Sequence, residues 1–314
     1  MNYSVYIQEE EKKWDVLYAL NMDKIIELKK FIDKLYKDSK YNNFKNFSRT
    51  DSKYDRELES ISNLTMISID KIYFYNNVIG YIIDGTSFII ENNYKLIQVT
   101  QFISTYKNDL TDLMINVKFH KNKDSGVLFS ATTILGYIGI FSAKNNRLSI
   151  SINFEKYNIT DFIYYNTDPG LCLREMFENE LNYTQCKDVI KIIVLKYPCY
   201  FVLTTKENKY KIIYKEYGNV KIMGNIYHIG TNVSFLVKSC KDKQLVIEKK
   251  ILELLQYPLY NYDRLQTLLF GTAIKKFVND NLQKILNEYP FIDNTLYFYI
   301  CSITDDFNEI YCPK

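Results

Sequence analysis

The chain has 314 residues, a formal net charge of +3 and 47% hydrophobic residues, a composition typical of a protein with a large folded core. Its 40 basic and 37 acidic residues form no long block of one sign, which argues against nucleic-acid binding. The 29 tyrosines and 19 phenylalanines, beside a single tryptophan, indicate the codon bias of an AT-rich genome and not a binding code.

The cysteine spacing and the hydropathy exclude several further classes. No Cys-x-x-Cys pair is present, so the spacing favours neither a zinc site nor a disulfide framework, and we expect no metal and no cofactor. The N-terminal segment has no apolar signal-peptide core, and no run of about 18 apolar residues predicts a transmembrane segment. We therefore expect a cytoplasmic protein, in the host-cell cytoplasm if the source is viral. The six cysteines are Cys172, Cys186, Cys199, Cys240, Cys301 and Cys312.

The first half of the chain begins with helices and continues with strands. Apolar residues recur at helical spacing over residues 21–37, and a second helix is predicted over about 57–76. The polar segment 38–56 between them is predicted to be a loop. Over residues 81–153, short runs rich in Ile, Val, Phe and Thr alternate with polar turns, which predicts antiparallel sheet.

The second half mixes helices and strands without an internal repeat or a Pro/Gly-rich linker. It therefore predicts one α+β domain over residues 1–314, with helices covering sheets. Helices are predicted at about 159–180, 184–196, 242–256 and 264–288, and strands at 199–205, 209–217, 226–229 and 295–302.

Several segments match, in order along the chain, the sequence motifs of one known family. They are 9–28 (EEEKKWDVLYALNMDKIIEL), 64–76 (LTMISIDKIYFYN), 131–142 (ATTILGYIGIFS), 186–205, 231–232 and 282–313. Together they resemble the acid ceramidase and N-acylethanolamine acid amidase family of N-terminal-nucleophile hydrolases. The resemblance implies an αββα sandwich, two antiparallel sheets between helical layers. Residues 1–80 would correspond to the family's α-subunit and residues 81–314 to its β-subunit.

The same resemblance allows the catalytic positions to be compared. In the family, autocleavage exposes a cysteine at the start of a Cys-Thr-Ser-Ile-Val strand, and its free α-amine acts as the base. Gly85 stands at that position here and has no side chain that could attack an amide. Thr100 and Ile103 stand where the family has an arginine and an aspartate, and Phe154 stands where it has a glutamate. Asn232 matches the asparagine of the oxyanion hole.

These replacements predict an uncleaved pseudoenzyme with a binding or structural role. The apolar side chains of Ile103 and Phe154 would fill or dry the inherited cleft, which favours an apolar interface over hydrolysis. Glu155, one residue after Phe154, would point to the opposite sheet face if the strand continues. The expected partners are another protein or an apolar, lipid-like ligand.

Two alternatives remain open. In the first, cleavage of the Gly85–Thr86 bond frees Thr86 as both nucleophile and base, Asp84 assists the rearrangement, and the chain is an active amidase on N-acyl lipids. Against it, a shift of one residue turns the nucleophile to the other face of the strand. In the second, the chain is an interaction module of a larger assembly.

The histidines and the acidic tail give weaker signals. The chain has two histidines: His120 is predicted to lie in a solvated polar turn, and His228 in a strand that runs close to Asn232. No Gly-rich phosphate loop is present. The acidic residues Asp305, Asp306 and Glu309 are predicted to be solvated surface.

Overall fold

The computed structural model describes two β-sheets and a set of helices in the greater part of the chain. The predicted helices 242–256 and 264–288 lie outside the residues that it describes. The described residues are 2–8, 13–45, 54–92, 95–155, 167–207, 209–216, 219–223, 226–229, 233–238, 295–302 and 307–311.

The described helices fall into three groups along the chain: before residue 83, between residues 107 and 113, and after residue 168. In chain order they are α1 (Asp15–Ala19), α2 (Met22–Lys37), α3 (Asp55–Thr65), α4 (Ile69–Ile82), α5 (Lys107–Leu110), α6 (Pro169–Glu178) and α7 (Tyr183–Ile192), with 3-10 helices at Ser39–Phe44 and Thr111–Leu113.

The strands form an eight-stranded sheet, in the order β1-β4-β5-β6-β7-β8-β9-β10, and a six-stranded sheet, in the order β11-β12-β2-β3-β13-β14. The β1–β4 pair is parallel and the other pairs are antiparallel. The strands are β1 (Asn2–Tyr6), β2 (Asp84–Asn92), β3 (Lys95–Ile103), β4 (Met114–His120), β5 (Val127–Ile134), β6 (Ser142–Lys144), β7 (Leu148–Phe154), β8 (Cys199–Thr205), β9 (Tyr210–Glu216), β10 (Asn219–Met223), β11 (Ile226–Ile229), β12 (Val233–Lys238), β13 (Thr295–Ser302) and β14 (Phe307–Tyr311).

A buried stripe, a left-handed residue and a capping box characterise three of the helices. In α2, residues Ile25, Leu28 and Ile32 recur at three- and four-residue spacing and are buried, so one stripe of the helix faces the core. Helix α3 ends at Met66, whose φ of 55° is left-handed. The predicted single helix over 57–76 is therefore two helices. Helix α7 begins with a capping box between Asn182 and Gln185.

Glu57 joins the N-terminal segment to α6 inside the core. Its carboxylate accepts from Lys13 Nζ at 2.5 Å and from Trp14 Nε1 at 3.0 Å. Both terminal nitrogens of Arg174 also donate to it, at 2.8 and 2.9 Å. The side chains of Glu57 and Arg174 are almost fully buried, so each charge depends on its partners for the solvation that water would otherwise give.

The two sheets pack face to face, and the contact between them is called here the inter-sheet seam. Strand β2 contributes Gly85, Ser87 and Ile89, and side chains of β3 and β7 meet them. The outer face of the large sheet is covered by α6, where the Phe177 ring lies 5.4 Å from that of Phe129. Two packed sheets with a helical layer over the larger one confirm the predicted α+β class.

The edge of the large sheet holds one strand that the sequence did not predict and one residue whose predicted position is wrong. Strand β1 was not predicted, because a five-residue run with only Tyr3 and Val5 buried carries little periodicity. His120 was predicted in a solvated turn, but it is the last residue of β4 and is partly buried. Its ring lies 5.5 Å from that of Tyr6, and its Nδ1 is 3.1 Å from the carbonyl oxygen of Ser125.

Candidate functional site at the head of strand β2

Gly85 lies at the head of β2, directly after the turn from α4. Its N–H donates to the Asp84 carboxylate at 2.7 Å, and its backbone pairs with Phe102 of β3. Because strand side chains alternate between faces, Gly85, Ser87 and Ile89 share the face that lines the inter-sheet seam. Ser87 and Ile89 are fully buried there.

Glycine is required at position 85 by close approach of its neighbours. A Cβ at Gly85 would lie 2.4 Å from the backbone oxygen of Gln101 and 2.7 Å from the side-chain amide of Asn153. Both distances are shorter than any ordinary carbon contact, and a backbone oxygen in a paired strand cannot swing aside as a side chain can. The family's nucleophilic side chain therefore has no space here unless β3 shifts.

The seam beside Gly85 is filled by a chain of hydrogen bonds between neutral side chains. Thr100 Oγ1 lies 2.8 Å from Ser87 Oγ and 2.6 Å from Ser151 Oγ. Gln98 Nε2 donates to Ser151 Oγ at 2.7 Å, and Gln98 Oε1 accepts from Thr204 Oγ1 at 2.9 Å. All five side chains are at most 2% exposed, so the network is sealed from water.

Asn153 closes this network above Gly85. With its oxygen directed at Ser87, the amide accepts from Ser87 Oγ at 2.7 Å and from the Ser87 backbone N–H at 3.0 Å. The amide nitrogen then donates to the Ile152 carbonyl at 3.3 Å. The members of the network are Ser87, Gln98, Thr100, Ser151, Asn153 and Thr204, none of which ionises at neutral pH.

The residues that stand at the family's other catalytic positions do not all lie on the same side of their sheets. Thr100 lies in the seam, close to Gly85. Phe154 follows Asn153 and therefore lies on the opposite face of β7, where its ring is 5.4 Å from that of Tyr197. Ile103 is three residues after Thr100 on β3, so it lies on the opposite face of that strand, where it is partly exposed. The prediction that Ile103 and Phe154 fill the cleft is wrong, because strand alternation turns both away from it.

The remaining predicted positions are only partly described. Thr86 pairs with Gln101 through the backbone, and its side chain lies outside the described part. Asn232 also lies outside it, and His228 is described only as a backbone position in β11. Glu155 lies on the Asn153 side of β7, where its carboxylate accepts from the Tyr200 hydroxyl at 3.2 Å.

Sequence analysis missed the polar members of the seam on β7. The signal was present in Ser149, Ser151 and Asn153, a period-two row of polar residues on a strand that is buried throughout. Such a row requires hydrogen-bond partners on a facing sheet. Tyr299 of β13 supplies one, since its hydroxyl lies 3.0 Å from Ser149 Oγ.

Neither a metal site nor a membrane span emerges from the described ranges. They hold no group of three or more His, Cys, Asp or Glu side chains placed to bind a metal ion. None of their helices is both long and apolar enough to cross a bilayer. The cysteines described as free thiols, all buried, are Cys172, Cys186, Cys199 and Cys301.

Comparison with known proteins gives relatives in sequence and in fold. No family model matches the chain. It is 24% identical to the acid ceramidase of Bos taurus over 175 residues, which is 48% of this chain and 44% of that protein. The acid ceramidase of Heterocephalus glaber is 25% identical with the same coverage. The match thus spans less than half the length of either relative.

A solved structure extends the likeness beyond the aligned residues. The Caenorhabditis elegans ortholog of N-acylethanolamine-hydrolyzing acid amidase superposes with a TM-score of 0.54 at 17% identity. It covers 73% of this chain and 100% of that one, and at this identity the match establishes the fold. The predicted resemblance to the acid ceramidase and N-acylethanolamine acid amidase family is thereby confirmed, in sequence over about half of the chain and in fold over most of it.

Proposed function

We propose that this chain is a catalytically inactive relative of the acid ceramidase-type amidases that remains uncleaved and has a binding or structural role. The observation that carries the proposal is the close approach at Gly85. A side chain there would meet the Gln101 backbone oxygen at 2.4 Å. The position thus lacks a nucleophile and also lacks the space for one.

The surroundings of Gly85 support the same conclusion. A substrate amide placed over Gly85 would have to displace Asn153 and open the buried network around Ser87 and Thr100. Each buried donor or acceptor left unsatisfied costs about 1–3 kcal/mol. Thr100 offers a neutral hydroxyl where the family has a charged guanidinium, so the network provides no compensating charge.

The experiment that tests the proposal is the intact mass of the purified full chain under denaturing conditions. Denaturation is essential, because α4 is bound tightly to later segments. Asn76 Nδ2 donates to the Gly136 carbonyl at 2.9 Å, and Asn76 Oδ1 accepts from the Ile138 N–H at 3.0 Å. Lys196 Nζ also donates to Asn77 Oδ1 at 2.7 Å. Two pieces of a cleaved chain would therefore stay together in a native separation.

A second candidate function is an active amidase on N-acyl lipids with Thr86 as the nucleophile. One observation favours it: the Asp84 carboxylate contacts the Gly85 N–H, beside the bond that would have to rearrange. This candidate requires that Thr86→Ala abolish cleavage and turnover, and that Thr86→Ser retain both. An uncleaved wild-type chain with no activity on N-acyl amides would eliminate it.

The binding role is proposed to involve a protein partner or an apolar ligand. Native mass spectrometry of the purified chain, followed by organic extraction, tests the ligand. A lipid retained by the wild-type chain would support this part of the proposal, and a chain that binds neither lipid nor protein would contradict it.

A further inference from the structure

Large apolar side chains are exposed where helix α1 meets helix α2. Val16 and Leu20 are four residues apart at α1, and Met22 and Ile26 are four residues apart in α2, so each pair shares a helix face. All of these side chains are 53–63% exposed, which is more than a surface helix usually leaves in water as a group. We call these residues the apolar corner.

Buried contacts hold the apolar corner in place. Asn21 lies between the two pairs, and its amide nitrogen donates to the Leu17 carbonyl at 2.7 Å. Its amide oxygen accepts from the Tyr3 hydroxyl at 2.8 Å. Leu17 and Ile25 already occupy the core side of their helices. The exposed side chains therefore project from a fixed backbone and cannot turn inward.

The exposed side of α2 continues from the apolar corner as a series of lysines. Helical periodicity places Lys29, Lys30 and Lys37 on that side, and all three are exposed. Lys30 pairs with Glu27 at 2.9 Å, whereas within the described ranges neither Lys29 nor Lys37 forms an ion pair. Helix α2 as a whole carries five lysines and three acidic residues, so its surface has an excess of positive charge.

Two lysines from neighbouring segments extend this series around Tyr36. Lys45 Nζ lies 4.7 Å from the centre of the Tyr36 ring, and Lys71 Nζ lies 5.7 Å from it. Lys71 also pairs with Asp33 at 2.6 Å, so the carboxylate on this side of α2 is already neutralised. The basic row is defined as Lys29, Lys30, Lys37, Lys45 and Lys71.

An apolar corner beside a basic row matches the boundary between the headgroups and the acyl chains of an anionic membrane. Apolar side chains that project from helices can enter that boundary, while lysines stay at the level of the phosphates. A deformable lipid surface can surround all the projecting side chains. A folded protein partner would need a concave pocket of matching shape, so the observations favour lipid.

We propose that the apolar corner and the basic row dock the chain onto the surface of an anionic phospholipid membrane. The inference goes beyond the proposed function, because it concerns the outer side of α1 and α2 and not the inter-sheet seam. It stands whether or not the chain hydrolyses amides. The apolar corner supplies insertion, and the basic row supplies the preference for anionic headgroups.

Co-sedimentation of the full chain with lipid vesicles tests the proposal. Vesicles of phosphatidylcholine alone are compared with vesicles that also contain phosphatidylserine. We expect the mixed vesicles to bind the chain about tenfold or more tightly, because each lysine near an anionic surface adds attraction. Added salt should weaken this binding. No binding to the mixed vesicles, or equal binding to both kinds, would overturn the proposal.

A double variant assigns the insertion to the apolar corner. Leu20→Ser combined with Ile26→Ser should weaken binding to the mixed vesicles about tenfold or more. Ile192→Ser is the matched control, because Ile192 is 79% exposed at the end of α7, and this variant should bind as the wild type does. Circular dichroism confirms that each variant is folded. Unchanged binding by the folded double variant would contradict the assignment.

A second double variant tests the basic row. Lys29→Gln combined with Lys37→Gln should weaken binding about fivefold or more, whereas Lys191→Gln, an exposed lysine on α7, should leave it unchanged. Sedimentation velocity without lipid tests whether a second copy of the chain covers the apolar corner. A wild-type dimer that Leu20→Ser with Ile26→Ser abolishes would overturn the proposal.

Discussion

Gly85 lies directly beneath the side-chain amide of Asn153, so close that a Cβ on Gly85 would come within 2.7 Å of that amide. The same Cβ would come still closer to the Gln101 backbone oxygen, at 2.4 Å. A glycine and an asparagine thus share the volume in which a relative of this fold would hold a reactive side chain. This relationship means that the packing as well as the sequence leaves no side chain at position 85.

The first prediction concerns Gly85→Ala. The added methyl group overpacks the seam, so the free energy of unfolding should fall by about 1–3 kcal/mol. Chemical denaturation monitored by circular dichroism measures the change. Gly126→Ala is the matched control, because a Cβ at Gly126 has no atom within 4 Å and should change stability by less than about 0.5 kcal/mol. Equal stability of the two variants would show that the close approach is absent.

The second prediction is that Gly85 and Asn153 are energetically coupled. Asn153→Ala alone should destabilise the chain, because Ser87 loses the Asn153 amide as a hydrogen-bond partner and keeps only its contact with Thr100. In the Gly85→Ala background the same change also removes one of the two clashes, so it should cost less by about 0.5–3 kcal/mol. A double-mutant cycle of unfolding free energies measures this coupling free energy between the two residues. Strict additivity would mean that the two residues do not share the volume.

The third prediction tests the buried carboxylate of Glu57. Glu57→Gln leaves Lys13 without its carboxylate partner and leaves Arg174 with Glu178 alone, so the free energy of unfolding should fall by about 3–5 kcal/mol. The control is Glu59→Gln on the exposed side of the same helix, which should cost less than about 1 kcal/mol. A loss for Glu57→Gln no larger than that of the control would contradict a buried ion network.

The fourth prediction follows from the titration of Glu57. Burial opposes ionisation, but the charge and hydrogen bonds of Arg174, with those of Lys13, lower the pKa of Glu57 to about 2 from 4.5. A depressed folded-state pKa gives stability that is fully present above pH 4.5 and is lost as the pH falls towards 2. The difference corresponds to about 3 kcal/mol.

Unfolding free energies measured at intervals across that acid range test this linkage. The free energy of unfolding of the wild-type chain should fall as the pH falls. For Glu57→Gln this fall should be smaller by about 3 kcal/mol. Parallel curves for the two proteins would assign the acid sensitivity to other carboxylates.

Sequence reasoning located regular elements where local periodicity was strong. The helix predicted over 21–37 is Met22–Lys37, and the strand predicted over 199–205 is Cys199–Thr205. It failed at Met66, because a left-handed residue that is neither glycine nor asparagine gives no sequence signal for a break. Strand β1 was missed because its parallel partner β4 lies more than one hundred residues away.

The candidate site was predictable in position but not in its packing. The motif comparison singled out Gly85 and Thr100, and the structure places these two strand positions close together in the seam. It assigned Ile103 and Phe154 to the same cleft, although the face that a strand residue occupies depends on register with its neighbours. The contact between Gly85 and Asn153 joins β2 to β7 across the two sheets, and no local pattern encodes such a pairing.

The central claim is that this chain does not cut itself at the head of β2, and denaturing intact-mass spectrometry tests it most directly. Full-length wild-type protein and Thr86→Ala are incubated side by side at neutral and acidic pH. We predict a single species at 37.3 kDa for the wild type, and at that mass less one side-chain difference for the variant. Two wild-type fragments with the masses expected for cleavage at the Gly85–Thr86 bond, together with an intact Thr86→Ala chain, would contradict the account.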